Sequence, residues 1–305
     1  MPESGAEQRM ARLGSQELRT VGPQRGLALG TVESLRDIWS YRELTGLLVR
    51  RELRARYKNS SLGFIWSLFK PITQLAVYFL ILGQVLGIAR GIPGFAIYVF
   101  TGLTVWGLFN EVVAGGTGSI VANSGLVKKV YLPREVFPIS TVGAALVNFG
   151  IQVAVLLVAT VIASAVPLWA NLLYVPLALA LVLTFGTAAA ILLSAVNVYL
   201  RDLQHLVEIV LMILFWASPI IYTYDLVSRA VTDAGAAWLE EVYLANPVTL
   251  AVLGFQRGLW VEGADYPFPD HLATRLFVAT LISFLFLWIA QRVFSRLEGN
   301  FAQQL

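Results

Sequence analysis

Cysteine is absent from the chain, which excludes disulfides, zinc–thiolate sites and thiol nucleophiles. The two histidines, His205 and His271, stand far apart and offer no imidazole cluster for a metal. Charge is scarce as well. Asp, Glu, Lys and Arg make up 13% of the 305 residues, about half the share of an ordinary globular domain. No G-x-x-x-x-G-K-[ST] segment occurs, so nucleotide binding through a P-loop is not expected. No Ser/His/Asp set and no pair of acids beside a histidine marks a catalytic centre. The alternating hydrophobicity of barrel strands is missing too. The first residues lack the short apolar core of a signal peptide, and residues 1–32, rich in Gly, Arg, Gln and Ser, are expected to form a flexible cytoplasmic tail.

What remains is apolar. Hydrophobic residues make up 57% of the chain and the mean hydropathy is +0.70. Six runs near the ~20 residues needed to cross a bilayer lie at about 64–88, 95–118, 137–166, 172–198, 206–224 and 273–291. The expected fold class is an all-α polytopic membrane protein. Six spans form a domain over residues 61–305, preceded by an amphipathic helix over 33–60. Orientation follows from the bases. Of the 22 Lys and Arg residues, 18 fall in the region before the first run, at its start (Lys70), in the 119–136 loop, at Arg201 or in the last residues. Only Arg90, Arg229, Arg257 and Arg275 fall on the other side. That asymmetry puts both termini in the cytoplasm and explains the pI near 9.2 without nucleic acid. The outer loop 225–272 carries seven acids against two arginines, yet its VYLANPVTLAVLGF stretch is apolar enough to dip back into the outer leaflet.

Several residues stand out against this background. In Glu33–Asn59, Leu35, Ile38, Trp39, Leu44, Leu47 and Leu48 recur at helical spacing with arginines on other faces. The pattern suits a helix in the membrane interface, or a charged helix packed on a soluble partner. Glu111, beside Asn110 in the second run, needs a bundle interior or a wet cavity, as pore lining or as a polar clasp between helices. Tyr78, Trp106 and Tyr222 offer rings with an apolar face and a polar edge, suited to sugars or to an interface belt. Pro219 is expected to bend the fifth span, and Gly83 and Gly87 have a G-x-x-x-G spacing. Asp265 and Asp270 with His271 are the one conceivable acid–His set, in a turn-rich stretch with Pro267 and Pro269. Between the second and third runs lies LVKKVYLPRE, Leu126 to Glu135, a short, basic, Pro-stiffened connection where a soluble partner can push.

SIVANSGLVKKVYLPREVFP resembles the signature between the second and third spans of type-2 ABC exporter permeases for polysaccharides, the Wzm-like O-antigen and TagG-like teichoic acid exporters. RRELRARYKNSSLGFIWSLFKP, NVYLRDLQHL, SPIIY and NPVTLAVLGFQRGLW are similar to that family in the same order, over most of the chain beyond residue 33. Leu132 departs from it, standing where Phe is common. The resemblance implies a homodimer with two separate ABC ATPase subunits, which bind ATP and Mg; this chain binds no cofactor or metal and has no catalytic residue. It puts Leu126, Val127, Lys128, Lys129, Pro133, Arg134 and Glu135 at the coupling contact with the ATPase. Arg51, Arg54, Arg56 and Tyr57 would lie on a gate helix, and Asn246, Pro247 and Arg257 on short outer-leaflet helices between spans five and six. Tyr78, Trp106, Glu111 and Tyr222 are the channel-lining candidates. The implied substrate is a lipid-linked polysaccharide such as an O-antigen or a cell-wall galactan precursor, crossing the cytoplasmic membrane of a bacterium. Alternatives are an ABC permease for drugs or lipids, and a membrane enzyme acting on polyprenyl-linked sugars.

Overall fold

The computed structural model describes residues 36, 38–57, 65–85, 87, 90–129, 132–163 and 169–305. The 1–32 tail, residues 58–64 and the side chains of Arg56, Tyr57 and Lys70 lie outside the described residues. Among the described residues every regular element is a helix. Apolar runs without water must bond their own backbone groups internally, and helices do so.

The principal elements are α1 (Arg42–Tyr57), α2 (Ile65–Val77), α3 (Phe95–Ala122), α4 (Val136–Ile162) and α5 (Tyr174–Tyr199). They continue with α6 (Leu203–Trp216), α7 (Tyr224–Asp233), α8 (Trp238–Leu244), α9 (Pro247–Leu259) and α10 (Leu272–Leu297). Four of them, α3, α4, α5 and α10, are long and apolar enough to cross a membrane. They coincide with the second, third, fourth and sixth runs of the sequence. Helix α2 is prolonged by a π-helical stretch, Tyr78–Val85. Gly87 then turns left-handed at φ 76°, so Gly83 and Gly87 do not share one helical face.

Helix α3 is the most enclosed of the four, and α5 packs extensively on both α10 and α3. The α3–α5 approach is set by Gly116, where a Cβ would stand 2.5 Å from that of Ala190. Small residues at such crossings let backbones close in and raise dispersion contact where lipid supplies no hydrophobic drive. Helix α1 lies against α4, with Leu48 buried while Trp39 and Leu47 are exposed.

The fifth run departs from expectation. Helix α6 stops at Trp216 after 14 residues, and 217–223 is irregular, so Pro219 terminates a helix rather than bending one. Apolarity continues through ASPIIY, but Pro219 brings no N–H, and side chains take the freed carbonyls. The Ala217 carbonyl accepts from Thr249 Oγ1 at 3.1 Å. The Pro219 carbonyl accepts from Gln256 Nε2 at 2.7 Å and from the Tyr98 hydroxyl at 2.9 Å. That hydroxyl also reaches the Tyr222 carbonyl. Gly102 gives the break room, since a Cβ there would come within 3.2 Å of the Ile220 Cα. Broken backbone at membrane depth is tolerated where protein encloses and satisfies it.

Helix α9 supplies two of those donors. Its N-terminus is capped by Asn246, whose side chain accepts from the Val248 N–H at 3.0 Å, with Pro247 in the first turn. With 13 residues it is too short to cross, yet it is buried from Val248 to Gln256 between α3, α5 and α10. A second core, containing Leu48, Val127, Leu132, Val136, Phe294 and Phe301, closes the opposite end of the bundle.

Candidate functional site

The 123–135 connection is built from the end of α3. Asn123 leaves the helix at φ −107° and ψ 19°. Its carbonyl accepts from the N–H groups of Leu126 (2.9 Å) and Val127 (3.1 Å), winding Ser124–Val127 into one helical turn. Its side-chain amide donates to the Ser119 carbonyl at 2.7 Å, and its Oδ1 accepts from the Arg51 guanidinium. One asparagine thus fastens α1 to the turn, joining two stretches that the sequence presents separately. Arg54 is exposed, and Arg56 and Tyr57 lie on the last turn of α1.

The seven loop residues fall into two groups. Leu126, Lys128 and Lys129 are exposed and form its outer surface. Val127 and Glu135 are buried, and Pro133 and Arg134 are half-buried. Arg134 does not reach outward: its guanidinium carbon lies 5.5 Å from the centroid of the Phe301 ring. Lys128 and Lys129 are therefore the two loop cations best exposed to a soluble partner.

Each of the four channel candidates has its own partner. Glu111 sits in a π-helical stretch of α3, Glu111–Gly115, and accepts from Asn148 Nδ2 of α4 at 2.8 Å. Trp106 faces α6 instead, in edge contact with Phe215 at 5.5 Å. The Tyr222 hydroxyl donates to the Trp216 carbonyl at 2.6 Å, so Trp106 and Tyr222 both meet the end of α6. Tyr78 packs half-buried on the main core.

At the end of the bundle away from the 123–135 connection, Arg257 donates to the Ala264 carbonyl at 3.1 Å and lies 4.9 Å from the Phe268 ring centroid. Trp260 donates to the Pro93 carbonyl at 2.7 Å and stacks edge-on against Tyr98 at 4.7 Å. The α7–α8 hairpin is held to α10 by a two-pronged contact, Arg275 Nη1 and Nη2 each 2.8 Å from a Glu241 carboxylate oxygen. That guanidinium holds the exposed Glu241 carboxyl below its ordinary range. The Tyr224 hydroxyl donates to the Glu240 carboxylate, which ties α7 to α8. Asp265, Asp270 and His271 are all exposed, and no group of three His, Cys, Asp or Glu residues gathers as a metal site among the described residues.

Sequence reasoning missed Asn123, Asn148, Tyr98, Gln256 and Phe301. An Asn closing an apolar run before Ser-Gly signals a helix end; the other four carry no local signal.

Residues 43–260 match the family model of the ABC-2 type transporters, a span from the start of α1 to the end of α9. The chain belongs to that family. Among its relatives is the O-antigen export system permease protein RfbA of Myxococcus xanthus, 32% identical over 274 residues, covering 90% of this chain and 100% of the relative. The protein of the same name from Klebsiella pneumoniae is 25% identical over 264 residues, 86% of this chain and 95% of its own length. The polysialic acid transport protein KpsM of Escherichia coli is 27% identical over 184 residues, 57% of this chain and 68% of its own. This ABC-2 protein is therefore a transporter subunit, and its apolar helices are membrane helices.

Proposed function

We propose that this ABC-2 protein is the permease of an exporter that moves lipid-linked polysaccharide across the cytoplasmic membrane of a bacterium. The observation that carries the reading is the match to an O-antigen export permease over 90% of this chain and the whole of that relative. Two copies pair with two ABC ATPase subunits, which bind and hydrolyse ATP with Mg. Six spans with both termini inside are formed by α2, α3, α4, α5, α10 and the broken α6 segment, with the 33–60 helix in the interface. The asymmetry of Lys and Arg supports this orientation.

In this reading the 123–135 turn takes the push of the ATPase. Leu126, Lys128 and Lys129 meet the partner's surface, while Val127, Pro133, Arg134 and Glu135 set the turn. Arg51, held to Asn123, moves with it, as do Arg54, Arg56 and Tyr57 on the gate helix. Rim charges add little affinity but fix register. Trp106, Tyr222 and Tyr78 offer rings to the glycan, and Glu111 with Asn148 fastens α3 to α4 beside that path. Asn246, Pro247 and Arg257 shape the outer exit. A galactan precursor is the cargo to test first.

The test is co-expression with the candidate ATPase, co-purification, and comparison of surface glycan with ATP hydrolysis. Arg134→Glu is expected to leave the chain inserted and ATP hydrolysis running while export falls. It removes the cation over Phe301 and adds a third carboxylate beside Glu135 and Glu298, which Arg134 otherwise offsets. Unchanged glycan in depleted cells, or no ABC ATPase retained by the wild-type chain, would sink the reading.

A further inference from the structure

The 298–305 segment follows α10 and lies beyond the residues that match the family model. A 3-10 turn, Glu298–Asn300, leads into a short helical turn, Phe301–Gln304, which folds back onto Ser124–Val127. Phe301 is fully buried there. Its ring meets Phe294 edge-on at 5.5 Å and Tyr199 at 6.1 Å. The Tyr199 hydroxyl donates to the Leu297 carbonyl at 2.8 Å, tying the start of the segment to the end of α5. On its other side the ring carries the Arg134 guanidinium, and Val127 and Leu132 of the connection belong to the same apolar core.

We propose that Phe301 is a positioning residue for the 123–135 turn, acting through Arg134 and carrying displacement of the turn into α5 and α10. The proposal rests on the reading of that turn as the ATPase contact. Covalently, the turn leads only into α3 and α4. Phe301 gives it a second route, because the ring that takes the Arg134 cation is seated on Tyr199 of α5 and Phe294 of α10. A guanidinium over a ring is attracted to the face and is free to slide over it, so the contact fixes distance while permitting small rotation. Glu298 lies within electrostatic reach of both Glu135 and Arg134, so the cation also offsets the repulsion that Glu298 meets at the same junction. Helices α5 and α10 form one of the most extensive contacts of the bundle and both pack on α9, so movement at Phe301 reaches the outer end.

The experiment uses the full chain with its ATPase subunits in nanodiscs, and the same variants in cells. Phe301→Leu keeps apolar volume without the ring, and Arg134→Gln removes the cation without reversing it. Each is expected to retain the ATPase subunits and to lower surface glycan per ATP hydrolysed by about fivefold or more. The double variant is expected to cost no more than either single one, because both delete one interaction. Effects that multiply, or Phe301→Leu exporting like wild type, would overturn the proposal. Should Phe301→Leu fail to accumulate, Arg134→Gln alone decides. It is expected to speed deuterium uptake over 299–305, and unchanged uptake there overturns the idea. A wild-type chain that retains no ATPase fails earlier, and takes the reading of the turn down with the role of Phe301. Retained ATPase with a neutral Phe301→Leu defeats the role of Phe301 alone.

Discussion

At the scale of single residues, the side chains that hold this protein together are those whose partners are remote. The Tyr98 hydroxyl reaches carbonyls more than a hundred residues along the chain, at Pro219 and Tyr222. Tyr98→Phe is expected to leave the ring packing intact and to cost about 1–3 kcal/mol, because it removes a donor from two enclosed carbonyls. A lowered melting temperature in detergent checks it; an unchanged one would mean that Gln256 suffices for the Pro219 carbonyl and that the Tyr222 carbonyl does not depend on the hydroxyl. Charges in apolar surroundings are legible in the sequence itself: Glu111, Lys128, Lys129 and Arg134 stand out by type. Tyr98, Asn148 and Phe301 are not, because one ring or amide in an apolar run resembles every other until its partner is known. Arg134 is legible as a cation but not as one turned onto a ring.

At the scale of elements, hydropathy locates α3, α4, α5 and α10 to within a few residues, because length and apolarity alone decide whether a helix suits a bilayer. The exceptions are the end of the third run, which lies outside the described residues, and that of the sixth, which stops at 291 while α10 runs to Leu297. Hydropathy overruns the end of α6, since it weighs side chains and is blind to which backbone donors are missing. The short helices between α6 and α10 depend on pairwise contacts instead. Helix α8 is fastened to α10 by the Glu241–Arg275 fork, and Arg275 lowers the Glu241 carboxyl. A carboxyl lowered on folding contributes above its unfolded value, and the contribution is lost as pH falls through the folded value. The distance between spin labels on α8 and α10 should therefore hold steady from neutral pH down to about 5 and lengthen below the ordinary carboxylate range near 4. Glu241→Gln should show the longer distance at every pH. A Gln variant that keeps the short distance would show that the charged fork is not what fastens α8 to α10.

At the scale of the whole molecule, the chain's freedom from cysteine makes its topology directly measurable. Single cysteines at the exposed positions Lys129 and Asp265 should react with a membrane-impermeant maleimide from opposite faces, Lys129→Cys from the cytoplasmic side only. Reaction of both from the same face would refute the six-span arrangement. The burial of α9 bears on how such a molecule is made. Thirteen residues are too few to be recognised as a span during synthesis, and α10, one wall of its pocket, leaves the ribosome after it. Helix α9 can therefore meet α3, α5 and the open carbonyls behind α6 as soon as it is made, while its third wall comes only with α10. A defect in α10 would leave a short helix seated on two sides and bare on the third, a flaw of the kind that quality-control proteases read.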